Sequence, residues 1–574
     1  MSERSARALS GPAPGTGLLG RRASPALFLP VLAILLGYVV WPALRVVVEG
    51  GRPEVLGHLF ESADSANARA LYNSVWISLW SVVGAGILGT GLAWSFHRFD
   101  FPVKRVLVSV AALPLALPPL VGVLAFLFLY GESGILPRGI QAIFSMESVP
   151  FSFTGLWAVW LVHVYSLYVF FYLFCRASLA GIDRSQIEAS QDLGASGVRT
   201  FLNVTLPHMR PAIVSAALLV FMISMASFTA PLLFAGTENF LTLQIYNYKM
   251  NGNLEYSAGV SVVLTAICLL FLLFLEAGRS RRSSTPASKG ASPIAMPLRS
   301  GAARAIAVSF ALLVLTFLLL PILTIVLISF VREGSWTWQV LPTAYTLDNY
   351  AGLLSEPDVF RPVANSLRMA SLATAANLIF GVAAALLIVK GRMRGRALIR
   401  TLSVLPFAIP GTVIAVNLIV TFNEPTVLAG GNILVGTVWL LPLAYFIRHI
   451  PLIVRSTIAS LESYDDRLTD ASQDLGAGTA TTVRRVVLPI ISPGILAGTL
   501  LTFVTALGEF VSSILLYVFD NRPISVEILS QLRLYDFGAA AAYSVFLMIL
   551  IGASTFIVHR VGAGAGRGVG GPSF

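Results

Sequence analysis

Two polar segments of this chain are near copies of each other, and their residue types suit docking better than bond making. Glu188-Ala189-Ser190-Gln191-Asp192-Leu193-Gly194-Ala195 returns as Asp470-Ala471-Ser472-Gln473-Asp474-Leu475-Gly476-Ala477, and Leu206-Pro207 returns as Leu488-Pro489 at the same offset of about 282 residues. A carboxylate leads each copy, two small residues follow, and a glycine closes the turn. That order offers a partner one charge-assisted contact and a surface it can approach closely. An amphipathic interfacial helix would read similarly for one copy; the ungapped repetition favours a docking element.

A second candidate is Glu509, an acid inside an apolar stretch, whose repeat mate is the neutral Ser227. A carboxylate at bilayer depth costs a few kcal/mol or more unless it faces protein or water, so Glu509 either packs helices or stands beside a translocation path. There, with Ser227 opposite, it would attract a cationic ligand. No G-x-x-x-x-G-K-[ST] phosphate loop occurs in the sequence, so the chain is not expected to hydrolyse ATP and is read as no enzyme. No His/Cys cluster has metal-ligand spacing; His163, Tyr165, Tyr168 and Tyr172 read as helix packing rather than iron ligands.

These residues need a membrane scaffold to position them. With 56% hydrophobic and 12% charged residues and a mean hydropathy of +0.80, the chain has too little polar surface for a soluble globule and is expected to live in a bilayer. Cys175 and Cys268 lie in apolar runs, which fits packing and not a disulfide framework. Crossing a core of about 30 Å takes roughly 20 helical residues. Apolar runs of that length fall near 26–48, 74–96, 106–130, 153–175, 211–235, 256–277, 305–331, 366–389, 398–422, 434–454, 493–519 and 539–559, predicting an all-α polytopic protein of twelve spans. The net charge of +11 is topological: Lys390, Arg392, Arg394, Arg396 and Arg400 crowd one connection, while Glu49, Glu54, Glu61, Asp64, Glu356 and Asp358 lie in connections on the other side. The positive-inside rule then puts both termini in the cytoplasm and removes any need for a nucleic-acid partner.

The repeat extends through the spans. Asn73-Ser74 opens the second and Asn365-Ser366 the eighth, and Leu113-Pro114-Leu115-Ala116-Leu117-Pro118 answers Leu405-Pro406-Phe407-Ala408-Ile409-Pro410 at an offset of about 292. Six spans per half is an even number, so the halves share one orientation and a pseudo-two-fold along the membrane normal. The predicted organisation is a disordered cytoplasmic tail over 1–25, with Arg21-Arg22 before a signal-anchor span, then a first transmembrane domain over 26–278. A flexible cytoplasmic linker over 279–304, a second domain over 305–560 and a tail over 561–574 follow. Each polar segment is expected to fold as an elbow: Asp183 with Gln186 caps a short helix, Gly194 ends it, and a second helix runs to Pro207.

Glu188-Ala189-Ser190, Gly194, Val204 and Leu206-Pro207, and again Asp470-Ala471-Ser472, Gly476, Val486 and Leu488-Pro489, resemble the EAA loop of binding-protein-dependent ABC importer permeases: E-A-A, three residues, G, nine residues, I, one residue, L-P. Ser190 departs from the family's alanine, as does Ser472, and Asp470 replaces its glutamate. The resemblance implies that Glu188, Ala189, Ser190, Gly194, Leu206 and Pro207, with Asp470, Ala471, Ser472, Gly476, Leu488 and Pro489, couple the chain to two copies of an ABC ATPase. It further implies a periplasmic or lipid-anchored solute-binding protein, a bacterial cytoplasmic (inner) membrane location, no cofactor bound by this chain, and ATP with Mg used by the ATPase. Two fused domains resemble chiefly the ferric-iron and thiamine permeases, and the runs 113–119, 242–250 and Asp520-Asn521-Arg522-Pro523-Ile524-Ser525 are more similar to the ferric-iron branch. Thiamine, phosphonate and polyamine importers share the scaffold. A proton-coupled secondary transporter of six plus six spans is the competing class, disfavoured because the loop His97–Arg105 lacks that family's signature and the spans hold few ionisable groups.

Overall fold

A computed structural model describes residues 23–280, 296–298, 300–391 and 394–566. The expected disordered tail, most of the linker and the last residues lie largely outside this set. Within it the final helix, Phe537–Gly566, runs into the stretch expected to be tail, and Met296–Pro297 of the linker pairs in parallel with Phe99–Asp100.

Each half is built on a three-helix bundle. In the first, Ala66–Arg98 packs against Leu156–Ala180 and Leu206–Met225; in the second, Pro357–Lys390 packs against Leu440–Glu462 and Leu488–Leu507. The first helix of each half reaches across to the other half. Trp41–Gly50 lies on Gly411–Phe422, where Tyr38 donates to the Leu428 carbonyl at 2.7 Å. Conversely Gly301–Ile328 lies on Pro119–Tyr130, and its Leu318 carbonyl accepts from Tyr165 at 2.9 Å.

Among the described residues ten helices are long and apolar enough to cross a membrane, and a pair bent by 109°, Arg396–Ala408 and Gly411–Phe422, makes an eleventh when the two are counted as one span. The segment expected as the remaining span is the helix Leu440–Glu462, which carries Arg448, His449 and Arg455 and falls short on hydropathy. Several expected spans are broken where proline or a buried polar residue intervenes. The run 106–130 divides into Lys104–Val110, Leu113–Ala116 and Pro119–Tyr130 around Pro114 and Pro118, because each proline lacks an N–H and crowds the preceding carbonyl. The runs 211–235 and 493–519 stop being helical at Met225 and Leu507, so Ser227 and Glu509 sit in breaks and not mid-helix. Asn73-Ser74 and Asn365-Ser366 lie inside helices that begin earlier, at Ala66 and Pro357.

Candidate coupling elbows and membrane-embedded breaks

The elbows form as short polar helices for local reasons. Asp183 caps Arg184–Asp192 by accepting the Ser185 N–H at 3.0 Å, and Asp465 accepts the Arg467 N–H at 3.0 Å ahead of Arg467–Asp474. These bonds satisfy donors that a helix start leaves open. Gly194 and Gly476 stand at φ +79° and +82°, the left-handed region where a Cβ is penalised, and the chain turns there. Across each turn one hydroxyl bond braces the elbow: Ser190 Oγ to Thr200 Oγ1 at 3.1 Å and Ser472 Oγ to Thr482 Oγ1 at 3.0 Å. The third position of the motif is therefore a brace facing inward, while Glu188, Ala189, Asp470 and Ala471 are exposed.

The second helix does not end at the Leu-Pro pair. It passes through a π turn, Phe201–Thr205 or Val483–Val487, straight into the span. Pro207 and Pro489 explain the turn: Leu206 N–H bonds to Phe201 O and Leu488 N–H to Val483 O, a wider register that relieves the carbonyl each proline would crowd. The same register precedes Pro42, where Trp41 N–H bonds to Leu36 O. Leu206 is half-buried and Leu488, Pro207 and Pro489 are exposed. Each elbow's second helix is thus continuous with its span.

Sequence reasoning overlooked the residue at each elbow tip. Leu193 and Leu475 are each 89% exposed on otherwise polar helices, an apolar knob presented twice. Their identical placement beside the turn glycine was the available signal. The carboxylates differ: Glu188 is held by Arg184 at 2.5 Å within its own helix, whereas Asp470 has no ion pair among the described residues. The second elbow is instead tied to its bundle by Lys390 and Asp466 at 2.5 Å.

At bilayer depth the two breaks share a frame. Thr242 Oγ1 donates to the Ser227 carbonyl at 2.7 Å, and its repeat mate Ser525 donates to the Glu509 carbonyl at 2.8 Å. Asn73 Nδ2 reaches Asn239 O and Ser74 Oγ receives Leu241 N–H; Asn365 Nδ2 reaches Arg522 O and Ser366 Oγ receives Ile524 N–H. The side chains at the breaks differ. Ser227 Oγ lies 2.8 Å from His163 Nε2, while Nδ1 of that ring lies 3.0 Å from both Ser81 Oγ and Ser224 Oγ. Glu509 is not a lone acid: Arg448 Nε sits 2.9 Å from its Oε2, and Ser512 donates N–H and O–H to its Oε1 at 3.0 and 3.1 Å. The Arg448 guanidinium occupies the space a Cβ at Gly411 would need, 1.6 Å away, so glycine at the bend makes room for the pair. The substitution recurs nearby. Gln244 Nε2 bonds to Asn239 Oδ1 at 2.8 Å in the first half, and at the equivalent places Arg522 Nε meets Glu527 Oε2 at 2.7 Å.

No group of three or more His, Cys, Asp or Glu suited to a metal occurs among the described residues. Of the tyrosines beside His163, Tyr165 and Tyr168 donate to the Leu318 and Ala111 carbonyls at 2.9 and 2.6 Å, and the Tyr172 hydroxyl accepts from Arg176 at 3.2 Å.

Residues 85–282 and 377–563 each match the family described as the binding-protein-dependent transport system inner membrane component. The chain is similar to the probable ABC transporter permease protein y4fN of Sinorhizobium fredii, 29% identical over 87% of this chain and 88% of that protein. It is similar to the Fe(3+)-transport system permease protein FbpB 2 of Haemophilus influenzae, 27% identical over 93% and 98% of the two chains. The ferric transport system permease protein FbpB of Actinobacillus pleuropneumoniae is 24% identical over 91% of this chain and 76% of its own.

Proposed function

The chain belongs to the binding-protein-dependent transport system inner membrane component family and is a permease subunit of an ABC importer; from that premise we propose that its cargo is ferric iron and that its two elbows each receive one copy of an ATPase subunit. What supports the cargo is similarity to two ferric permeases over nine-tenths of the chain. The coupling reading is carried by the repeated elbow: same cap, same left-handed glycine, same hydroxyl brace, same exposed leucine, same π turn into the span.

In this reading a binding protein delivers iron to the outer loops, and ATP with Mg is bound and hydrolysed by the partner, since the chain has no phosphate loop. The chain is then a transport subunit with no catalysis of its own, and both termini are cytoplasmic. Nucleotide-driven closure of the two ATPase subunits pulls the elbows, and each continuous elbow-to-span helix passes that movement to the breaks. Ser227 and Glu509 flank the path, the Glu509 charge being held by Arg448.

The test is uptake of radioactive iron by vesicles containing the chain, its ATPase and its binding protein. ATP-dependent iron uptake is expected; uptake of thiamine, phosphonate or polyamine in place of iron would replace the cargo, and no ATP dependence would remove the coupling. Reporter fusions at each end check the orientation.

A further inference from the structure

The lipid-facing flank of the first half carries a groove that the second half lacks. Gly86, Thr90, Gly91 and Trp94 of Ala66–Arg98 form one wall, Ile213 and Ala217 of Leu206–Met225 the other, and its volume is about 550 Å³. It faces away from the junction of the halves: Met222, which clusters with Ala408 of the second half, stands about 140° around the helix from Ala217. Val83 and Ile87 beside the groove are 48% and 73% exposed, so at bilayer depth it opens to lipid. Thr90 spends its hydroxyl on Cys175 Sγ at 3.6 Å, which leaves the wall apolar up to the Trp94 indole. From Val82 to Trp94 the wall runs about 18 Å, close to one leaflet's share of a core of about 30 Å.

The repeat shows what is missing. By the offset that pairs Asn73 with Asn365, Gly86, Thr90 and Gly91 correspond to Leu378, Val382 and Ala383. Leu378 and Val382 pack in one cluster with Ile495 and Val483, the mates of Ile213 and Phe201. Close packing confirms the register: a Cβ at Gly89 would meet Phe171 at 2.7 Å, and one at Gly381 would meet its mate Ile453 at 2.3 Å. The second half fills this place with its own side chains, and the first leaves it open.

Charge differs at the elbow end of the groove, where Trp94 packs on Phe201 of the π turn with ring centroids 4.9 Å apart. Arg98 lies four residues past Trp94 and Arg210 three before Ile213, so helical periodicity carries both walls of the groove onto an arginine. The mate of Arg98 is Lys390, neutralised by Asp466 at 2.5 Å; the mate of Asp466 is Arg184, itself held by Glu188. The first half thus keeps the cation and has lost its counter-ion. Neither Arg98 nor Arg210 has an ion pair among the described residues.

We propose that the groove binds one anionic phospholipid of the elbow-side leaflet, an acyl chain lying along Gly86 to Trp94 and the phosphate at Arg98 and Arg210. A chain in the groove regains the contacts that an unfilled depression forfeits, which any lipid supplies; the arginines choose the headgroup. Phe201 belongs to the turn that carries the first elbow into its span, so this lipid braces one elbow and not the other. The proposal rests on the bilayer location of the family and needs neither the cargo nor the ATPase.

The experiment takes the full chain in neutral detergent, strips it of lipid by washing, and offers phosphatidylglycerol or phosphatidylcholine with identical acyl chains. Native mass spectrometry counts what is bound. One phosphatidylglycerol per chain should be held about tenfold more tightly than phosphatidylcholine. Arg98→Gln/Arg210→Gln should erase the preference, and Arg98→Lys/Arg210→Lys should keep most of it. Gly91→Leu fills the groove from a position where a Cβ meets nothing within 4 Å, so it should lose the lipid with both arginines present. Equal retention of the two lipids by wild type, or unchanged phosphatidylglycerol in the glutamine pair or in Gly91→Leu, overturns the site. A second arm needs no variant: phosphatidylglycerol with a diazirine near the acyl terminus, illuminated on the wild-type chain, should label 82–91 or 213–217, and label confined to other spans overturns it. Failure here leaves iron uptake and ATPase capture untouched, and failure of those leaves the lipid result standing.

Discussion

At the residue scale, charge and apolar surface do opposite things on the two sides of the chain. The exposed leucines of the elbows are the atoms a partner gains by burying: a leucine side chain is worth about 1.5–3 kcal/mol on full burial. Leu193→Ala or Leu475→Ala should weaken capture of the ATPase about tenfold each, measured by pull-down or surface binding, with the chain still folded because neither side chain packs inside it. The carboxylates should respond unequally. Glu188 already spends its charge on Arg184, so Glu188→Lys should weaken capture less than Asp470→Lys, since Asp470 has no ion pair among the described residues; equal losses would mean that Arg184 releases Glu188 on docking. Inside the membrane the argument reverses. Removing one member of a buried ion pair costs about 3–5 kcal/mol because it strands the other, whereas replacing both with apolar residues is often neutral. Glu509→Gln should therefore lower thermal stability in detergent, and Arg448→Met/Glu509→Leu should recover most of the loss. If Glu509→Gln keeps full stability yet loses uptake, the carboxylate serves the cargo and not Arg448.

At the scale of elements, the elbow was readable in the sequence because its signals are local: a capping aspartate, a turn glycine and a short polar run lie within one stretch. Gly194→Val and Gly476→Val test it, since a β-branched residue at φ near +80° is strained by roughly 1–2 kcal/mol or more. Each should uncouple hydrolysis from uptake while leaving the protein in the membrane. The junction with the span was not readable, because Pro207 looks like a terminator when it is in fact absorbed by the π turn before it. Pro207→Ala or Pro489→Ala restores an N–H and lets the turn revert to α register, which would rotate the elbow relative to its span. Loss of coupling with unchanged ATPase capture is the expected outcome, and normal coupling would mean that the register carries no movement. The breaks were missed for a related reason. Hydropathy averaged over a window is blind to a bend, so Ala408 and Gly411 read as one span although their helices turn through 109°. Inside the expected span 434–454 the partner of Arg448 was hidden for another reason: Glu509 lies far along the sequence.

At the scale of the whole molecule, the repeat announced two equivalent halves, and the structure adds that each is incomplete alone. Tyr38 of the first half is bonded and stacked in the second, against Leu428 and Phe422, and the second half's Leu318 and Phe317 lie against Tyr165 and Phe126 of the first. A sequence gives no sign of such exchange, since the apolar face of Gly301–Ile328 would suit either half equally well. The halves have also diverged in charge at two places. Where the first uses neutral contacts, Ser227 with His163 and Asn239 with Gln244, the second uses Glu509 with Arg448 and Arg522 with Glu527, so the pseudo-two-fold is kept in backbone and broken in charge. The exchange yields a prediction about assembly. If the chain is divided within 281–295 and the pieces are produced together, each first helix still finds its site on the other piece, and burying those apolar faces against protein needs no covalent link. The two pieces should copurify through a tag on one of them and retain ATPase capture at both elbows, whereas either piece produced alone should be degraded, its partner-facing helix stripped of the part of its surface that packs on the other half. Truncation of the first piece through Gly50, which removes both Tyr38 and the Trp41–Gly50 helix from the second half, should abolish copurification; pieces that still associate without that helix would locate the main contact elsewhere, on Gly301–Ile328 and the breaks.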